Sequence, residues 1–109
     1  MSNILEQKIS VRARITTYGI PFNGSVINYV GENAVHKMIK ILNRLANLQP
    51  NVYPVSIDGG TSSTMIPEIC HAEFEIQMPQ SADMDVVKEK INVILKEACP
   101  SGGVEINFI

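Results

Sequence analysis

Cys70 and His71 stand side by side, the pair in this sequence that most invites a chemical reading. A thiol next to an imidazole suggests a nucleophile with its general base, but the two groups must touch for the thiol to be activated. Residues 69–78 alternate apolar and polar, as a half-buried strand does, and successive strand side chains leave from opposite faces. The element therefore separates the pair. Glu73 and Glu75 do share a face, roughly 7 Å apart along a strand. Paired carboxylates can do acid–base work, yet two acids on an open sheet face are far more often solvated or at an interface.

Metal ligation has no better support. His36 falls on a helix with only Lys40 one turn on, and His71, Cys70, Cys99 and the scattered acids show no zinc-type spacing. No metal site is expected in this chain. Gly59-Gly60-Thr61 could cradle an anion through backbone N–H groups, but such loops usually open straight into a helix and often carry a lysine. Here the glycines lead through Ser62, Ser63 and Thr64 to Met65-Ile66-Pro67 and then a strand. A turn between strands is the expected role.

The elements that would position these residues follow from periodicity. Lys8 to Thr17 alternates, with Ile9, Val11, Ala13 and Ile15 on one face and Ser10, Arg12, Arg14 and Thr16 on the other. A long ordered loop, rich in Gly, Pro and Asn, spans Gly19–Gly31. Asn33 or the residue before it opens a helix whose apolar positions Ala34, Met38, Ile41, Leu45 and Leu48 step by helical period, widened by Val35, Ile39 and Leu42. Val52–Asp58 reads as a strand, and Pro54 makes it an edge strand or a bulged one. Ile69–Met78 turns Cys70, Ala72, Phe74, Ile76 and Met78 inward, and His71, Glu73, Glu75 and Gln77 outward. Ser81–Asp83 starts a second helix with Val87, Ile91, Ile94 and Ala98 as its buried stripe, helped by Val86 and Leu95. Val104, Ile106 and Phe108 form the last strand. The order is β-α-β-β-α-β, an α+β ferredoxin-like sandwich of a four-stranded antiparallel sheet with two helices on one face.

Composition narrows the function. The 109 residues suffice for one domain, 1–109, ordered from about Lys8 to Phe108. Net charge is −2, and the nine basic residues are spread among 11 acids, which suggests neither nucleic-acid binding nor an anionic membrane surface. The two cysteines form no CxxC motif and sit in apolar settings, so buried thiols in a reducing compartment are expected. The first residues lack a signal-peptide core, and no apolar run approaches the ~18 residues of a membrane span. A cytoplasmic location is the expectation.

Three segments together resemble a known family. They are Tyr18-Gly19-Ile20-Pro21-Phe22-Asn23-Gly24-Ser25 followed by Gly31-Glu32-Asn33-Ala34, then Gly59-Gly60 through Met65-Ile66-Pro67, then Ala72-Glu73-Phe74-Glu75-Ile76-Gln77-Met78-Pro79. In order and spacing they are similar to the dimerisation (lid) domain of the acetylornithine deacetylase, succinyl-diaminopimelate desuccinylase and aminoacylase–carboxypeptidase superfamily of zinc metallopeptidases. The resemblance implies that Gly19, Gly31, Asn33, Gly59, Gly60 and Pro67 are structural. It implies an excised domain of a longer zinc hydrolase, an N-acyl amino acid deacylase or dipeptidase, with the zinc or another divalent metal held in the parent's separate catalytic domain. It also implies a homodimer formed by the first helix and an edge strand, through Ile39, Leu42, Val55 and Ile57, and no catalysis by this chain alone. The family's substrate- and oxyanion-contacting histidine, asparagine and arginine fall on Asn23, Thr64 and Gln77. Those three changes imply a divergent substrate or a weakened activity in the parent. The alternative reading is a free-standing ferredoxin-like module that binds a small regulatory ligand. An acylphosphatase-like enzyme is disfavoured, because Arg12 and Arg14 lie within a strand and not in a phosphate-cradling loop.

Overall fold

The computed structural model describes residues 8–19, 33–48, 51–60 and 68–109. The elements run β1 (Lys8–Tyr18), α1 (Ala34–Leu45), β2 (Asn51–Gly59), β3 (Ile69–Pro79), α2 (Met84–Ala98) and β4 (Val104–Phe108). The sheet order is β2-β3-β1-β4, with every neighbouring pair antiparallel. This is the ferredoxin-like arrangement expected from the periodicity.

β3 and β1 are the two interior strands, and β3 has the cleanest alternation. Cys70, Ala72, Phe74, Ile76 and Met78 are all at most 1% exposed, and the residues between them are half-buried on the other face. From the helices, Ala34, Met38, Ile41 and Leu45 of α1 and Val87, Ile91, Leu95 and Ala98 of α2 close the same core. Thr17 is a polar residue on the inner face and is fully buried, and its hydroxyl donates to the Ala34 carbonyl at 2.6 Å. That bond removes the cost of burying the hydroxyl and ties the end of β1 to the first turn of α1.

Two expectations need correction. The stripe of α2 runs through Leu95, which is 4% exposed, whereas Ile94 is only half-buried and Val86 is 49% exposed. Val87, Ile91, Leu95 and Ala98 step by four, four and three, which keeps one helical face; Val86 is turned about 100° away from it. The first helix stops at Leu45, short of Leu48. Asn47 N–H donates to the Arg44 carbonyl at 3.2 Å, and the Asn47 side-chain amide donates to the Asn43 carbonyl at 3.3 Å. These bonds tighten the last turn and satisfy carbonyls that would otherwise be open at a helix end. Leu48 still packs on the core from beyond that turn.

Lys37 holds one end of the sandwich together. Its ammonium donates to the Tyr18 carbonyl at 2.7 Å and to the Gly102 carbonyl at 3.4 Å, joining α1, the end of β1 and the turn before β4. Gly103 makes room for it: a Cβ there would lie 2.6 Å from Lys37 Nζ and 3.0 Å from the Tyr18 carbonyl oxygen, at a φ of +73°. Gly102 has a similar φ of +88° but open space around it. Gly102→Ala is therefore expected to lose only the backbone term of about 1 kcal/mol. Gly103→Ala should lose that term and a crowding term as well, roughly 2–4 kcal/mol together. Urea midpoints of the two variants check this; equal shifts would contradict the role given to Lys37.

Candidate dimerisation surface and the open sheet face

The sheet has one face covered by helices and one open face. The open face is laced with charge. Arg12 reaches Glu75 at 3.6 Å and Arg14 reaches Glu73 at 3.2 Å, with about half of each arginine side chain exposed. Glu75 also accepts from Ser10 Oγ and from Gln77 Nε2, each at 3.1 Å. The Gln77 amide foremost, then the Ser10 hydroxyl and Arg12, hold its carboxyl below the usual carboxylate range. A depressed carboxyl stabilises the fold at pH values above its unfolded pKa, and that contribution disappears as pH falls through the folded value. Thermal melts should therefore show stability declining on acidification below about pH 4.5. Glu75→Gln should flatten that part of the profile, and parallel profiles would contradict the assignment.

At the other end of this face, cross-strand partners line Asp58, His71, Thr16 and Glu105 across all four strands. Thr16 Oγ1 and His71 Nδ1 share a hydrogen bond of 2.9 Å, and the Tyr18 hydroxyl donates to Glu105. That bond, with some burial and the carboxylate charge, keeps the Tyr18 phenol above its ordinary pKa. Cys70 is on the inner face, away from His71, as strand alternation requires. Burial, and then the Asp58 carboxylate, raise its thiol pKa, so it stays protonated at neutral pH. Cys70 and Cys99 are both buried, and neither is in a disulfide. Among the described residues, no three His, Cys, Asp or Glu side chains are grouped to hold a metal ion, and no helix is long and apolar enough to cross a membrane.

A cleft of about 370 Å³ lies between the start of α1 and the end of α2, with His36, Lys37 and Lys40 on one wall and Cys99, Pro100 and Ser101 on the other. Its most buried cation is Lys37, which is already tied to two carbonyls. His36 and Lys40 are exposed.

Val86 and Val93 of α2 are also exposed, but the uncovered apolar residues that adjoin a free strand edge are on α1 and β2. Ile39 is 50% exposed, and Val55 and Ile57 of β2 are 49% and 54% exposed. β2 is an edge strand, paired only with β3, and its register shifts between Pro54 and Ser56. Proline thus produces both of the outcomes its type suggested, an edge and a bulge. Because of the extra residue, Val52, Pro54, Ile57 and Gly59 oppose the inward residues Ile76, Phe74, Ala72 and Cys70. Ile57 therefore faces the helix side. Gly59 lies beneath Val35, and a Cβ on it would meet Val35 Cγ2 at 3.0 Å and Cys70 Sγ at 2.9 Å. One turn on from Val35 along the helix, about 6 Å, is Ile39. Two residues back from Gly59 along the strand, about 6.6 Å, is Ile57. Ideal spacing therefore sets Ile39 and Ile57 at similar distances from the Val35–Gly59 contact, along the helix and along the free edge. Leu42 continues the stripe but is half-buried against the core.

Of the other residues singled out by sequence, Asn33 caps α1, its side chain accepting from His36 N–H at 3.0 Å. Gly19 donates its N–H to the Glu68 carbonyl at 2.9 Å, and Gly60 has a φ of +85°. Gln77 is half-buried on the open face, bonded to Glu75. Asn23, Gly31, Thr64 and Pro67 lie outside the described residues. Lys37 and Gly103 carry no motif and were not identified from sequence. The double glycine at 102–103 is the one signal that could have drawn attention to a crowded turn.

The domain is thus a ferredoxin-like sheet with one polar face, one helix-covered face and a free edge that carries exposed apolar side chains. A family model described as peptidase dimerisation domain matches residues 5–103, and the chain belongs to that family. No curated protein matches it in sequence. Among solved structures, it is similar to aminopeptidase PepT from Bacillus cereus (TM-score 0.76, 11% identity, 94% of this chain and 29% of that one). A putative aminohydrolase from methicillin-resistant Staphylococcus aureus superposes with a TM-score of 0.75 at 17% identity, over 95% of this chain and 30% of that one. A dinuclear metal-binding peptidase of the M20 family from Bacillus subtilis gives 0.67 at 18% identity, over 94% and 25%. At these identities the likeness is one of fold. The chain spans less than a third of the length of each of these proteins.

Proposed function

We propose that this chain is the dimerisation and substrate-lid part of a metal-dependent hydrolase acting on amide or peptide bonds, an N-acyl amino acid deacylase or a dipeptidase. It forms a homodimer through α1 and the edge of β2. The observation that carries this reading is that Ile39 of α1 and Val55 and Ile57 of the edge strand β2 are each about half exposed, beside a strand edge that pairs only with β3. Apolar side chains half exposed next to unpaired backbone donors and acceptors are an aggregation hazard unless something covers them, and a two-fold copy covers both at once. The family's description supports the same partner. The neighbours from Bacillus cereus and Bacillus subtilis are described as an aminopeptidase and a metal-binding peptidase, which supports amide hydrolysis in the parent.

The metal, zinc or another divalent ion, belongs to the parent's catalytic part, as the family resemblance implies; the neighbour from Bacillus subtilis described as a dinuclear metal-binding peptidase supports a divalent metal there. Asn23, Thr64 and Gln77 are this chain's candidate contacts to substrate. An asparagine or glutamine amide, like a threonine hydroxyl, can donate a hydrogen bond to a developing oxyanion but neither takes up a proton nor carries a positive charge near neutral pH, so these contacts orient the substrate without titrating there. Two buried cysteines outside any disulfide fit a reducing, cytoplasmic setting. The test is a hydrolase assay of this chain with zinc on N-acyl amino acids and dipeptides. No turnover is expected from the domain alone, and zinc-dependent turnover would contradict the reading.

A further inference from the structure

The direction of each peptide group on β2 can be worked out across the sheet. Tyr18 N–H donates to the Gly103 carbonyl, and Ile109 N–H donates to the Arg12 carbonyl. Even-numbered residues of β1 therefore serve β4, and odd-numbered ones serve β3. Antiparallel ladders alternate, so even-numbered residues of β3 serve β1 and odd-numbered ones serve β2. Through the register, Asn51, Tyr53, Ser56 and Asp58 bond to β3. Val52, Pro54, Ile57 and Gly59 turn their peptide groups to the open edge. Pro54 is thus placed where its missing N–H costs the sheet nothing, and where it leaves the edge one donor short.

We infer that a second copy of this chain pairs with only the C-terminal half of β2, with the two-fold axis at Ile57. This rests on the dimerisation reading above. The N-terminal half is closed to regular pairing by the donor gap at Pro54 and by the bulge after it, since bulges twist an edge out of line. The C-terminal half has complete donors and acceptors at Ile57 and Gly59, and α1 runs alongside it with Val35 over Gly59. An axis at Ile57 lets that residue exchange both backbone bonds with its own copy, and the regular ladder ends where Gly59 meets the bulged Val55 of the copy. It sets isoleucine against isoleucine on the helix side, flanked by Ile39, and puts each Asp58 opposite a Ser56 hydroxyl. An axis one residue on, at Asp58, would set two carboxylates face to face, which is unfavourable for directly opposed strand residues. Pairing along the whole strand would oppose Ile57 to Pro54 and leave the Ile57 carbonyl without a donor.

Cysteine pairing tests this, because Tyr53, Ser56 and Asp58 are all exposed, while the native Cys70 and Cys99 are buried and serve as the silent control. Directly opposed strand residues lie about 4.5–5.5 Å apart at Cα, within disulfide range. An equimolar mixture of Ser56→Cys and Asp58→Cys chains, mildly oxidised, is expected to give a covalent dimer. A mixture of Tyr53→Cys and Asp58→Cys chains is expected to give none. Cross-linking of the Tyr53→Cys mixture, or no cross-link in either mixture from a sample of dimeric mass, would overturn the register and leave the dimer standing. A monomeric mass would overturn both.

Discussion

Phe74→Ala is expected to cost roughly 3–5 kcal/mol, the range for removing a buried aromatic ring. Phe74 is 1% exposed at the middle of the central strand, opposite Ala13 on one side and Pro54 on the other. The small residues flanking it cannot collapse into the space its ring leaves, and a site that relaxes poorly sits at the high end of that range. A domain of this size has only about 5–15 kcal/mol in total. Its melting temperature should fall by more than ~10 °C, and calorimetry of the variant checks this. A shift of only a few degrees would mean that the core is not centred on β3.

Ile39→Asp is expected to leave the fold intact and remove the dimer. Its side chain is half exposed on α1, so a polar replacement should change the stability of the single chain by about 0.5 kcal/mol or less. In a two-fold interface each substitution counts twice, and it would bring two desolvated carboxylates together at the apolar edge. Dissociation should strengthen roughly 100-fold or more, the scale of an interface anchor lost from both sides. Sedimentation at several concentrations together with circular dichroism reads both effects. Leu42→Asp is the contrasting variant: Leu42 packs against the core, so that variant should also lose thermal stability. If Ile39→Asp unfolds the chain, or remains dimeric, the surface has been misplaced.

Much of this was legible from residue types. The unbroken alternation from Cys70 to Met78 gave β3 its faces. Asn33 before an apolar period marked the start of α1, and Pro54 announced an irregular edge. Other features were not legible, because they depend on distances between elements far apart in sequence. That Lys37 bonds to the carbonyls of Tyr18 and Gly102 cannot be read from a helix pattern in which it looks like one more solvated lysine. The inward turn of Ile57 depends on where the extra residue of the bulge falls, and strict alternation from Pro54 would have put Ile57 on the open face. Leu95 and Ile94 are neighbours of nearly equal hydrophobicity, and only the angle at which α2 lies on the sheet decides which of them is buried. The surface was visible as an excess of apolar residues on α1, whereas its continuity with β2 required the fold.

The most direct test of the account is the solution mass of this chain by light scattering over a range of concentrations. The expected mass is twice the 12.0 kDa of the single chain, falling to the single-chain mass on dilution or in Ile39→Asp. A folded chain that stays at the single-chain mass at every concentration would contradict it.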